Sequence, residues 1–443
     1  MSYPLSMIPS HDSSLTEKRS FLLSTLGSPS QEITYSLVAM SGSIVRDGFG
    51  FLLDSITDSG IANATNPNIL IAKNRVSEPW SQSTQDWASS PLFRSWLHKF
   101  VYNLCSTSVL TKAETFINEI PNYCLDIKSV DSAKTTLLSC GGVIELYDAK
   151  YAINWPRDGL VELMVDEDII SLKSGRENRL ILERVWAGHR VHLKTIEASQ
   201  GCKLLEAHGL PYSRSIVVRN DLNSLRVKLD TSKTPDRSKT YRSGEIDLCS
   251  YAYPDTFVGL YKRSCELLAS SWLDEFLDWD TTLHVVVPYR APSGWIVGGF
   301  TISSLQGACW ISTGTSAKIL ESLIHEQSHV KLRYLEECVP ILELDQTADL
   351  FNVGWRTDSR PIVGLYEGIY VNIHVLEAFS RLLESSLLDS EEYSNLLRRG
   401  RELYVQVREA CRIIIEYGNF TSPGQAYKDW SLCTLERFNT IFL

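Results

Sequence analysis

SAKILESLIHEQSHVKLRYLEE, residues 316–337, is the stretch whose reading decides the fold. Leu320, Leu323, Ile324 and Leu332 flank the motif at helical spacing, so the segment predicts a largely buried α-helix. Thr313 or Thr315 just before it is a candidate cap, because a hydroxyl accepts a hydrogen bond from the free amides of the first turn. Positions four apart share one face of a helix, so His325 and His329 can offer two imidazole nitrogens to a single ion, with Glu326 beside them. A helix carrying two histidines on a polar face is the plain alternative. Against it, the chain has only nine histidines in 443 residues, and burying two imidazoles without partners is costly. A metal supplies the partners.

Two histidines leave a site incomplete, since catalytic metal centres add a third protein ligand and keep positions open. Downstream, GWRTDSRPIVGLYEGIYVNIHVLEAF (354–379) predicts a second helix, from about Pro361 to Leu387. Glu367 is the first candidate for the third ligand. His374, one heptad later on much the same face, is its rival, and Asn372 follows. Spacing leaves two chemistries open. A zinc peptidase would use Glu326 to take a proton from the attacking water. A non-haem Fe(II) oxygenase would use two histidines and a carboxylate to hold one face of the ion.

Outward from this stretch, the chain divides by texture into 1–130, helical; 131–250, strand-rich, with VIELY, LVELMV, RLILERV, SIVVRN and LRVKL; and 251–443, carrying the metal helix. The polar run DTSKTPDRSKTYRSGE at 230–245 reads as an exposed loop. A helix is expected around Phe257–Trp279, then strands in LHVVVPY and WIVGGFTI. GACWIS reads either as an edge strand beside the site or as an internal strand. A long helix is expected over Ser390–Tyr417. The fold class is therefore α+β.

The formal charge of −10 argues against a nucleic-acid or anionic-membrane binder, which needs clustered cations. No secretory leader and no run of eighteen apolar residues is read, so the expected address is cytoplasmic. Ten cysteines without a C-x-x-C pair indicate neither a thiolate zinc knot nor a disulfide scaffold.

LESLIHEQSHVKLRYLEECVPIL (320–342) followed by GWRTDSRPIVGLYEGIYV (354–371) resembles the HExxH-type peptide-modification proteins of ribosomally made natural-product clusters. In that family a HExxH helix, a Leu-Val-Pro-Leu-like tail and a Trp-Arg-x-Asp-x-Arg-Pro segment occur in this order. The resemblance covers about residues 283–379. It implies an Fe(II)- and 2-oxoglutarate-dependent β-hydroxylase that uses O₂, with His325 and His329 as iron ligands, and a zincin-like C-terminal region with a small sheet. It also gives WRTDSRP a role. A guanidinium can hold the distal carboxylate of 2-oxoglutarate by two parallel hydrogen bonds, with Arg360 the first choice and Arg356 the second; either could equally pair with Asp358. Several members have a histidine where this chain has Glu367. The resulting His, His, Glu set also matches zinc peptidases, which keeps the peptidase reading with Glu326 as base. A binding protein for a precursor peptide is the third reading. The substrate is expected to be an amino acid or a peptide.

Overall fold

Among the described residues, five helices precede the first strand: α1 (Gln31–Asp58), α2 (Pro67–Ser77), α3 (Gln82–Ser89), α4 (Pro91–Leu104) and α5 (Val109–Cys124). The structure is a computed structural model, and it describes residues 31–443 apart from 60, 80–81, 105–108, 129, 131, 188–189, 211–212, 214–215, 226–227, 231–244, 248–253, 290–297, 344–348 and 356–358. Phe49, Trp87, Phe93, Trp96 and Phe100 give the helical region a core of its own. Phe93 meets Phe49 edge-on at 5.4 Å, the arrangement favoured by ring quadrupoles. Thr34–Asp58 is long and apolar enough by composition to cross a bilayer. Here, though, its Leu37, Val38, Phe49 and Leu53 are all buried inside the protein.

Twelve short strands follow: β1 (Ser132–Ser139), β2 (Val143–Glu145), β3 (Tyr151–Asn154), β4 (Gly159–Asp166), β5 (Ile169–Ser174), β6 (Asn178–Ala187), β7 (Arg190–Ala198), β8 (Lys203–Glu206), β9 (His208–Gly209), β10 (Val217–Val218), β11 (Lys228–Asp230) and β12 (Glu245–Asp247). One sheet runs β1-β4-β5-β6-β7, all neighbours antiparallel. In β4 buried and exposed residues alternate, with Val161, Leu163 and Val165 turned inward, as a sheet with one buried face requires. A second sheet is β2-β3-β8. β11 and β12 pair antiparallel on either side of the polar run, most of which lies outside the described residues.

The rest of the chain comprises α6 (Pro254–Ser271), α7 (Leu273–Thr282), β13 (Val285–Tyr289), β14 (Gly299–Thr301), β15 (Ala308–Ser312), α8 (Ser316–Cys338), α9 (Ile362–Glu384), α10 (Ser390–Tyr417) and α11 (Gln425–Phe442). The mixture of helix and sheet is α+β. The helix expected over 257–279 is two, broken at Trp272, whose backbone leaves helical geometry. α11 was not expected.

The sheet next to α8 has the order β14-β15-β13-β10-β9. β13 runs parallel to β15 and to β10, and β14 runs antiparallel to β15. GACWIS is therefore an interior strand, and β14 is the edge. All five residues of β15 are buried, as both of its flanks are covered. Because β9 and β10 come from the strand-rich middle, the boundary read at 250 does not separate two packing units. The main core likewise joins Leu37, Val38, Leu210 and Val218 to the helices after residue 254.

Three polar ties fix α8 in place. Arg94 of α4 bonds Glu337 at 3.1 Å and Ser41 of α1 at 2.7 Å. Arg399 of α10 bonds Glu321 at 2.6 Å. On the buried side, Lys331 pairs with Asp278 of α7 at 2.5 Å, and both are almost wholly excluded from solvent.

Candidate metal centre

Helix α8 starts directly after β15, and the Thr315 hydroxyl accepts a hydrogen bond from the Lys318 amide. Ile319, Leu320, Leu323, Ile324, Leu332 and Leu335 are buried, so packing fixes the rotation of the helix and with it the direction of its histidines. The His325 and His329 rings stand side by side, centroids 5.0 Å apart and planes inclined at 68°. Both are only partly buried, at the rim of the core.

Glu367 reaches them from α9. Its Oε2 lies 3.9 Å from Nδ1 of His329, although 38 residues separate the two in sequence. The structure thus brings Glu367 to His329, with His325 one turn earlier on α8. Among the described residues no group of three His, Cys, Asp or Glu side chains stands close enough together to hold a metal ion. Ligands held about 2.1 Å from one ion stand roughly 3–3.5 Å apart, so the His329 to Glu367 gap is a few tenths of an ångström wider than a coordinated pair. The donor set fits a divalent ion of the zinc or iron type. Burial raises the Glu367 carboxyl, while Arg333 and Arg360 nearby act to lower it.

His374 goes elsewhere. Its Nδ1 is 3.8 Å from Glu275 Oε2, and both side chains are buried. The ring is stacked near Trp272 at 6.3 Å and packs against Tyr370 and Trp430. Two turns further along α9 than Glu367, it faces α7 rather than the α8 histidines. Asn372 is buried as well, and five residues past Glu367 places it on a different face of the helix.

Glycines set the walls of the site. A Cβ at Gly299 in β14 would stand 2.7 Å from Glu326 Cγ, and one at Gly298 would stand 2.3 Å from Ser322 Oγ. The glycine pair lets α8 lie directly on the edge strand, with Ser322 and Glu326 in the notch. Buried there, the Glu326 carboxyl is pushed up to about 8, with Arg333 acting in the opposite direction. On α9, a Cβ at Gly368 would come within 2.8 Å of the Trp355 indole, and one at Gly364 would touch the Arg360 stem at 3.4 Å. The GLYEG spacing therefore seats Trp355 and Arg360 flat against the helix that carries Glu367. Arg356 and Asp358 lie outside the described residues.

Sequence reasoning did not single out Arg333, whose guanidinium neighbours Glu326, Glu336 and Glu367. Its signal was available, four residues beyond His329 on the same row. Tyr366, expected only as a core or wall aromatic, donates a hydrogen bond to Glu336 while its backbone carbonyl accepts one from Tyr427 at 2.6 Å. Together these hold the first turns of α9 against α8 and α11. No protein-family model matches the chain, and no curated protein matches it.

Proposed function

We propose that the chain is a mononuclear non-haem Fe(II)- and 2-oxoglutarate-dependent oxygenase acting on an unactivated C–H of an amino-acid or peptide substrate. His325, His329 and Glu367 would hold the ion. The observation that supports the reading is the approach of Glu367 on α9 to His329 on α8, Nδ1 and Oε2 3.9 Å apart. When bound, the iron supplies the redox chemistry that couples O₂ and 2-oxoglutarate to oxidation of the substrate. The chain's own residues do the rest. Two cationic side chains beside Glu367, Arg333 and Arg360, give this side of the site a capacity for anions, as a dicarboxylate co-substrate needs and a peptidase does not. Trp355, seated on Gly368, and Tyr366, bonded to Glu336, fix the turn of α9 that carries Glu367. A HExxH helix lying on a mixed sheet whose edge strand β14 is antiparallel supports a zincin-like reading, in which an extended peptide would pair with β14. Natural-product modification is what the family resemblance implies, and a cytoplasmic setting suits the eight cysteines that form no disulfide among the described residues.

A zinc peptidase is the second reading. Glu326 favours it, because its burial against β14 poises the carboxyl near neutral pH, as a general base requires. The deciding experiment is succinate release from 2-oxoglutarate by protein stripped of metal and reloaded with Fe(II) without oxygen, then exposed to O₂ with amino acids and peptides. Succinate that needs iron and vanishes in His325→Ala supports the oxygenase. Cleavage of peptides by the zinc-loaded form, lost in Glu326→Gln, with no succinate, transfers the site to the peptidase.

A further inference from the structure

Arg333 continues the row that His325 and His329 begin. The three are spaced four apart on α8, so each stands about 6 Å further along the helix and drifts about 40° around it. The guanidinium is the shared cationic neighbour of Glu326, Glu336 and Glu367, yet its Nη1 is buried with no hydrogen-bond partner. A guanidinium carries five donors and stays charged, and a buried charged donor left unpaired is costly. Arg360 is differently employed. Its backbone pairs with Phe351 by two hydrogen bonds of 2.8 Å, and its stem lies along Gly364, so it fastens the preceding loop to α9.

We propose that Arg333, and not Arg360, receives the distal carboxylate of the 2-oxo acid bound at the metal centre. The inference rests on the oxygenase reading. Arg333 projects from the helix that supplies two of the ligands, on their row and with a donor to spare, so one rigid element would set both the metal and the far end of the co-substrate. A planar fork of donors suits a carboxylate.

The test uses the full chain loaded with Co(II), which permits binding without turnover, and measures the affinity of 2-oxoglutarate against 2-oxobutyrate, the same 2-oxo acid without the distal carboxylate. Wild type is expected to prefer 2-oxoglutarate by roughly 10- to 100-fold, the worth of a charged hydrogen-bonded pair. Arg333→Gln should erase that preference while leaving 2-oxobutyrate affinity, Co(II) stoichiometry and the melting temperature unchanged, and Arg333→Lys should restore part of it. Retention of the preference in Arg333→Gln overturns the inference, and its loss in Arg360→Gln would then assign the carboxylate to Arg360 with the oxygenase reading intact. Failure of cobalt-loaded wild type to bind either 2-oxo acid overturns the oxygenase reading itself, and the inference with it.

Discussion

Nδ1 of His329 lies 3.9 Å from Oε2 of Glu367, across the contact between α8 and α9. Neither helix could make this approach alone. α8 is rotated by its buried apolar face, and α9 is held by the Tyr366 bonds to Glu336 and from Tyr427. The site is thus a product of packing, and residues far from the ligands tune it.

Gly368→Ala is the sharpest probe of that packing. The new methyl would sit 2.8 Å from Trp355 Cζ2 and 3.2 Å from Cε2, so the indole must leave its seat on α9. A loss of about 1–3 kcal/mol is expected from such overpacking, read as a lower urea midpoint at constant slope. Combined with Trp355→Ala, the substitution should cost less than the sum of the two single changes. Simple additivity would show that the indole does not depend on the notch.

Lys331 and Asp278 form a buried pair between α8 and α7. Lys331→Met leaves Asp278 as an uncompensated charge, and about 3–5 kcal/mol of stability should be lost. Adding Asp278→Leu removes the orphan, and the double variant is expected to be more stable than Lys331→Met alone. Thermal unfolding of the three proteins decides, and a double variant weaker than the single one would refute this account of the cluster.

His284 links stability to acid. Burial, with Arg94 nearby, lowers its imidazole to about 4, against roughly 6.5 in the unfolded chain. Between those values the unfolded chain takes up a proton that the folded one refuses, so stability falls as pH drops from 6.5 towards 4. The full effect is about 3 kcal/mol. Urea unfolding at pH 7 and pH 4.5 should show a smaller difference in His284→Gln than in wild type. An unchanged difference would assign the acid sensitivity to other groups.

The sequence made some of this legible. The Ser390–Tyr417 helix was readable because local signals frame it, a capping box between Asp389 and Glu392 at its start and Gly418 after its end. Helix α8 was readable for the same reason, with Thr313 or Thr315 as its cap, and the structure selects Thr315. The break at Trp272 was not, since apolar spacing runs through it unchanged. GACWIS left edge and interior open because a short apolar run carries no record of its neighbours, and parallel pairing of β13 with β15 is a long-range choice. Gly298, Gly299, Gly364 and Gly368 read as ordinary strand or helix residues until the partner that fills each notch is in place. Arg333 was not singled out because charge is common on any helix surface.

Metal stoichiometry tests the central claim most directly. Stripped protein titrated with Co(II) should bind one equivalent, with an absorption band that is lost in His325→Ala and His329→Ala and weakened at least tenfold in affinity in Glu367→Ala, while His374→Ala binds like wild type. Full binding by Glu367→Ala, or loss of binding in His374→Ala with the fold intact, would contradict the assignment of His325, His329 and Glu367 as one metal site.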